Sequence, residues 1–206
     1  SRSGINREVH IINNAISLPQ IRHFDSFPSK VQDAINLLKS LKCSLLYIGT
    51  ISQWFDFKLI CEALDKKEDV QLVLIGPKDC DIPSHKQIHY IGSVERQYIY
   101  SLMEQASALV MPFIVNELIR SVNPVKMYEY IYMEKPIIAP HYGEMEKFLP
   151  YINLYHDNDE FMSLVDQLSK SELQISSEKG NEMKGFAEKN TWESRYEEVK
   201  KILFNV

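Results

Sequence analysis

Arg120, Asn123, Lys126 and Glu129 crowd into one short stretch of this chain, and each offers chemistry of a different kind. Asn123 precedes Pro124, and the pair reads as a helix start. Asn is a good N-cap, and a proline in the first turn costs no hydrogen bond, because its missing N–H would be unpaired there anyway. Such a start aims free N–H groups at whatever lies above it and suits an anion, and Arg120 and Lys126 flank it with positive charge. Glu129 follows one and a half turns on, near the same end, as an acceptor-only carboxylate able to take two hydroxyl donors. Anion site and diol acceptor together match a diphosphate and a ribose.

Other chemistry along the chain is thinner. The usual phosphate-binding patterns, G-x-G-x-x-G and G-x-x-x-x-G-K-[ST], are absent. Single glycines close three apolar runs at Gly49, Gly76 and Gly92, where they permit sharp turns and close backbone approach. His141 and Glu144 fall in a loop near the same region, and a plain loop role accounts for His141. Trp54 and Phe55 read as the first core contacts of a helix rather than an exposed platform. Tyr128, Tyr130 and Tyr132 spread around their helix and make no stacking ladder. Glu144 and Glu146 do not form a glycosidase pair, and nothing supports a Ser-His-Asp triad.

The elements that must position these residues alternate along the chain. Residues 9–12 form a β-branched run that reads as a short strand turned by Asn13-Asn14, and residues 15–27 as a connection. Val31, Ile35, Leu38 and Leu41 recur at helical spacing. Residues 44–49 and 70–76 are continuous apolar runs closed by glycine, as expected of strands covered on both faces, with a helix over 55–65 between them. Further strands are expected over 89–92, 108–112, 136–139 and 152–155, with helices over 95–105 and after Asn123-Pro124. This pattern predicts an α/β fold, a doubly wound, mostly parallel sheet of about six strands, with ligands at the carboxyl ends of the strands. Phe161, Leu164, Val165 and Leu168 mark a helix, a polar stretch runs to about Lys184, and a last helix from Thr191 carries Tyr196, Val199 and Leu203 on a face expected to pack across the domain.

Composition fits a soluble globular protein: of 206 residues, 45% are hydrophobic and 25% charged. A net charge of −5 argues against broad nucleic-acid binding, which relies on a basic face. Cys43, Cys61 and Cys80 are odd in number and widely spaced, so buried thiols in a reducing cytoplasm are expected, with no disulfide framework or metal site. There is no membrane-length apolar run or signal sequence. The opening Ser1-Arg2-Ser3-Gly4 reads as a cloning scar or a ragged cut.

The order of the pieces is more specific than any one of them: strand-Gly49-Thr50, strand-Gly76, strand-Gly92-Ser93-Val94, strand-Pro112, Asn123-Pro124-x-Lys126-x-x-Glu129-Tyr130, Lys135-Pro136-Ile137-Ile138. This resembles the carboxy-terminal, donor-binding domain of GT-B glycosyltransferases, especially the retaining family 4 (group 1) type of bacterial polysaccharide biosynthesis. The segment from Val9 to Ile16 is similar to the turn that closes the family's amino-terminal domain, and Asn190-Thr191-Trp192-Glu193 to its final helix. The resemblance implies that residues 1–28 are the end of an amino-terminal acceptor domain plus a linker, and 29–206 the donor domain, so that the chain is half an enzyme, expected to bind nucleotide but to be inactive or nearly so alone.

By resemblance, Glu129 receives the ribose hydroxyls of a UDP- or GDP-sugar. Val125 N–H and Lys126 face the diphosphate, with Asn123 at the helix start. Gly92, Ser93 and Val94 lie by the base, and Gly49 and Thr50 line the other side of the phosphates. Lys126 and Arg120 carry the charge that stabilises the leaving group, which makes them the catalytic pair, with no metal or cofactor. The chain departs from the family at Ser121, where a second glutamate is usual, at Thr50, where an arginine is, and at Asp56-Phe57, where a Lys-Gly pair is. Either Asn116 or Glu117 stands in for the glutamate, or the donor sugar is held in another way, and Lys58 joins the candidates for phosphate neutralisation. Location is expected to be cytoplasmic, with peripheral membrane association only in a longer enzyme. Two other readings are a nucleotide-sugar 2-epimerase half-domain, which shares the architecture, and a non-catalytic doubly wound interaction module.

Overall fold

The computed structural model describes residues 9–18 and 24–204. Ser1-Arg2-Ser3-Gly4 and Pro19 lie outside the described residues. Six strands form one sheet: β1 (Cys43–Ile48), β2 (Val70–Ile75), β3 (Ile88–Gly92), β4 (Ala108–Val110), β5 (Ile137–Pro140) and β6 (Asn153–Tyr155). Every neighbouring pair is parallel, and the order across the sheet is β3-β2-β1-β4-β5-β6. Eight helices connect and flank them: α1 (Ser29–Ser40), α2 (Phe57–Lys66), α3 (Ile99–Gln105), α4 (Glu117–Arg120), α5 (Val125–Tyr132), α6 (Asn158–Ser169), α7 (Ser177–Lys189) and α8 (Trp192–Phe204). The doubly wound α/β expectation holds.

Burial explains the strands. Every residue of β1, and all of β2 except Gln71, is buried, because helices cover both faces of a parallel sheet. The chain winds outward from β1 through β2 to β3, then returns beside β1 as β4 and winds the other way. The order therefore reverses between β1 and β4, and the crevice of such a sheet opens there, above the carboxyl ends of the strands.

Several local expectations are corrected. Residues 9–12 form no strand, and Val9 and Ile11 are largely exposed, since β-branched residues make a strand only where a partner is on offer. The chain enters the core just after, at Ala15 and Ile16, where the Ile16 N–H donates to the Asn190 carbonyl at 2.9 Å and the Trp192 N–H to the Ile16 carbonyl at 3.2 Å. The polar stretch after α6 contains α7. Its buried positions are Gly180, Met183 and Ala187, small or flexible residues that carry little apolar signal, and Ser176 caps it by accepting from the Lys179 N–H at 3.2 Å. The final helix does not pack across the domain: α8 has no buried residue, and Tyr196 and Leu203 are exposed. Its first turn alone is pinned, through Arg195 Nε to the Asn13 carbonyl at 3.2 Å and through the Thr191 hydroxyl, which accepts from the Ser194 N–H. Among the thiols only Cys43 is buried.

Candidate functional site

Helix α5 stands over the point where the sheet order reverses, and its own buried face fixes it there. Met127, Tyr128, Tyr130 and Ile131 face inward, and the Tyr130 hydroxyl accepts from the Ile48 N–H at 3.1 Å. The ladder between β1 and β4 stops at Leu46–Leu109, so this amide at the end of β1 would otherwise be unsatisfied. Tyrosine from α5 replaces a strand partner. Tyr128 makes the second anchor, edge-on to Phe148 with ring centroids 5.0 Å apart. With that face fixed, Lys126 and Glu129 take the side toward the crevice.

The helix begins one residue later than the Asn123 cap would set it. Pro124 is the N-cap residue, in extended conformation, and no side chain caps the helix. Its carbonyl accepts from the Met127 N–H at 3.1 Å, while the Val125 and Lys126 N–H groups, the first in the helix, have no acceptor in the preceding turn. Asn123 faces the other way. Its Nδ2 donates to Asn13 Oδ1 at 2.9 Å, its carbonyl accepts from Asn14 Nδ2 at 2.8 Å, and its buried Oδ1 has no partner. Asn123 thus ties the start of α5 to the 13–16 segment.

Lys126 is half-buried and makes no ion pair among the described residues. Burial pulls its ammonium below the ordinary lysine range, opposed by the charge of Glu129 and reinforced by Arg96. Its stem crosses Gly49 so closely that a Cβ at that glycine would lie 3.0 Å from Lys126 Cε and 2.9 Å from the Tyr47 hydroxyl. The ammonium lies over the Tyr130 ring, 5.9 Å from its centroid, and a half-buried cation without a carboxylate of its own is a candidate for an anion contact. Beneath it the strand-end glycines are stitched together: the Gly49 N–H donates to the Ile75 carbonyl at 2.9 Å and the Gly76 N–H to the Gly92 carbonyl at 3.1 Å. Gly76 has φ 137°, and a Cβ there would lie 2.1 Å from the Gly49 carbonyl oxygen. The Tyr47 hydroxyl donates to the Thr50 carbonyl at 2.8 Å, leaving the Thr50 residue exposed on the rim.

Glu129 sits deep, its side chain 12% exposed, and accepts from Arg96 Nη2 on Oε1 at 2.7 Å. Arg96 belongs to the turn that follows Gly92-Ser93-Val94 and leads into α3. Tyr100, one turn further, lies beside the same carboxylate: burial, and then the Glu129 charge, push its hydroxyl up to about 12. Neither Arg96 nor Tyr100 stands out in the sequence. Their place four and eight residues after Gly92, on the element that leaves the third strand, is the signal that was there to use. Lys30 of α1 donates to the Ser93 carbonyl at 2.8 Å, so with the Gly92 carbonyl taken by the Gly76 N–H two acceptors of the 92–94 turn are already engaged, and Val94 packs on the core.

The structure thus brings Gly49, Lys126, Val125 and Glu129 to one place, with Gly92, Ser93 and Val94 joined to it through Arg96. Arg120 is exposed at the end of the four-residue α4, just before the start of α5, and makes no ion pair among the described residues. Ser121 donates to the Leu118 carbonyl at 2.8 Å, and Asn116 Oδ1 accepts from the Ile119 N–H at 2.9 Å, so both side chains serve α4 itself, while Glu117 is exposed. His141 stacks on His156, centroids 4.3 Å apart, with Glu146 and Glu160 as their respective partners, off toward the β6 edge. Among the described residues no three His, Cys, Asp or Glu side chains cluster in a way that could hold a metal, and no helix is long and apolar enough to cross a membrane.

A β3-β2-β1-β4-β5-β6 parallel sheet with glycines at the strand ends beside its switch point is a Rossmann-like arrangement, and the chain has the fold of one such half of a GT-B protein. Solved structures of that class superpose on it. With Anabaena Alr3699/HepE in complex with UDP and glucose the TM-score is 0.64 at 12% identity, over 88% of this chain and 53% of that one. An Escherichia coli trehalose-6-phosphate structure bound with UDP-2-fluoro glucose gives 0.66 at 12% identity, over 88% and 48%. Sucrose-phosphate synthase from Thermosynechococcus elongatus gives 0.65 at 14% identity, over 85% and 48%. In sequence, the chain is 24% identical over 166 residues to TuaH of Bacillus subtilis strain 168, a protein named as a glycosyltransferase of teichuronic acid biosynthesis, covering 75% of this chain and 41% of that protein. No family model matches. The chain therefore spans about half the length of the proteins it resembles, or less.

Proposed function

We propose that this chain is the donor-binding part of a glycosyltransferase that takes a nucleoside diphosphate sugar and passes the sugar to a glycan or lipid-linked acceptor. One observation carries the reading: the free N–H groups at the start of α5, the unpaired half-buried Lys126 over Gly49, and Glu129 one turn on all converge at the switch point of the sheet. Cation and helix start would meet the diphosphate and hold its charge as the bond to the sugar breaks. Glu129 would accept from the ribose hydroxyls. TuaH, named as a glycosyltransferase, and neighbours solved with UDP or a UDP-sugar support the choice of ligand class. On this reading the leaving group is met by protein charge alone, without metal or cofactor, the acceptor is bound by a second domain, and the enzyme works in the cytoplasm, peripherally at the membrane if its acceptor is lipid-linked.

Arg120, exposed at the end of α4, would add positive charge near the phosphates, and Lys126 would be the principal catalytic residue. The interaction-module reading calls for acidic residues at the end of β1, where Gly49 and Thr50 stand. Calorimetric titration with UDP, GDP and ADP tests the assignment. One of them is expected to bind, and Lys126→Ala to weaken it by about tenfold or more while leaving the corresponding nucleoside unaffected. Affinity unchanged in both Lys126→Ala and Glu129→Ala would overturn the site.

A further inference from the structure

The contact between Arg96 and Glu129 is one-armed. Arg96 offers a fork that can take both oxygens of a carboxylate, yet here only Nη2 is engaged, and only with Oε1. Two carboxylate oxygens offer about four acceptor positions. Arg96 occupies one, the neighbouring Tyr100 hydroxyl is a further hydrogen-bond partner of the group, and the Oε2 side is not taken by Arg96, so that acceptor capacity remains beyond these two. Lys126, three residues earlier on the same helix, feels the Glu129 charge without pairing to it. A carboxylate only 12% exposed is therefore held by a guanidinium that is itself 69% exposed and comes from a different element, the turn after β3. A flexible glutamate near a helix start would otherwise sample several rotamers, and a planar, always charged donor on one oxygen fixes which one is presented.

We propose that Arg96 is a positioning residue for ribose recognition: by fixing Glu129 Oε1 it turns Oε2 toward the nucleoside diol, and so sets the preference for ribonucleotides over 2′-deoxyribonucleotides. The inference rests on the donor-site reading above. It assigns a role to the turn after Gly92 that the glycine itself, or the main chain of Ser93 and Val94, does not fill. It also explains why the Lys126 ammonium is left free for phosphate: Arg96 supplies the counter-charge that Glu129 would otherwise take from its helix neighbour.

The test compares UDP with 2′-deoxy-UDP, and GDP with 2′-deoxy-GDP, by calorimetry on the wild type, Arg96→Ala and Arg96→Lys, with thermal melts to confirm that each variant is folded. The wild type is expected to prefer the ribo form. Arg96→Ala should lose most of that preference, with affinity for the ribo form down about tenfold and for the deoxy form little changed. Arg96→Lys, which keeps a charge and one donor, should retain an intermediate preference. Equal weakening of both forms would make Arg96 a general phosphate attractor and overturn the proposal. An unchanged ratio, or tighter ribo binding in Arg96→Ala, would overturn it as well, the latter by making Arg96 a competitor for Glu129. If the wild type binds none of these nucleotides, the donor-site reading itself fails and this inference with it, whereas nucleotide binding with an Arg96-independent ratio defeats the inference alone.

Discussion

Two glycines show how much the site depends on single atoms. Gly76 lies under Gly49, and a methyl group there would sit 2.1 Å from the Gly49 carbonyl oxygen on a backbone at φ 137°, a conformation that an L side chain rarely adopts. Backbone would have to move at the end of β1, where Lys126 crosses. Gly185, in the interior of α7, has nothing within 4 Å of the same position. Gly76→Ala is therefore expected to destabilise the fold by several kcal/mol, on the order of the larger single-residue effects. Gly185→Ala should stabilise it by about 0.5–1 kcal/mol, through the entropy that glycine loses in a helix. Urea denaturation of the two variants decides the matter, and a neutral Gly76→Ala would mean that the strand-end packing is looser than described. The sequence signalled that both positions are glycine, but not that one closes the site and the other is free.

At the scale of elements, α5 is held against β1 by the hydroxyl of Tyr130, which is 0% exposed and takes the Ile48 N–H at 3.1 Å. Tyr130→Phe keeps the ring and removes the acceptor, leaving a buried amide unpaired at a cost of about 1–3 kcal/mol. Because Lys126 and Glu129 ride on the same helix, nucleotide affinity should fall along with stability, measured by melting and calorimetry on one sample. A loss of stability without loss of affinity would show that α5 is fixed by its other contacts. The strands and most helices were legible, since apolar runs closed by glycine and apolar residues at helical spacing are local signals. Helix α7 was not, because Gly180 and Ala187 make its buried face. Nor was the role of Asn123, whose side-chain partner Asn13 lies 110 residues away, or that of Arg96, which is 33 residues from Glu129. Such pairs are made by topology, and a single sequence shows only their members. The residues of the site itself, Lys126 and Glu129, were legible as types at a spacing, and their burial was not.

For the molecule as a whole, ligand binding, protonation and stability are linked through Lys126. Burial lowers its pKa in the folded chain, so the unfolded state binds the proton more tightly and, for this group alone, the stability of the free chain rises as pH rises through the depressed value. The complex responds in the opposite sense. A diphosphate draws on the charged ammonium, and that charge is lost earlier on raising pH than for an ordinary lysine near 10.4. Terminal phosphate groups titrate around pH 6, below the lysine range, and Tyr100, pushed up to about 12, stays neutral there, so neither confuses the reading. At a ligand concentration of about 100 times Kd, binding adds roughly 2.7 kcal/mol, or about 5–10 °C in Tm for a chain of this size. The shift produced by the best-binding nucleoside diphosphate should accordingly begin to shrink at a lower pH in the wild type than the ordinary lysine value would dictate, and be small and flat in Lys126→Ala. Differential scanning fluorimetry at fixed ligand and ionic strength measures it. A wild-type shift no larger than that of Lys126→Ala where lysine is charged, and equally flat as pH rises through the ordinary lysine range, would remove Lys126 from the diphosphate, and leave the N–H groups at the start of α5 to bind it alone.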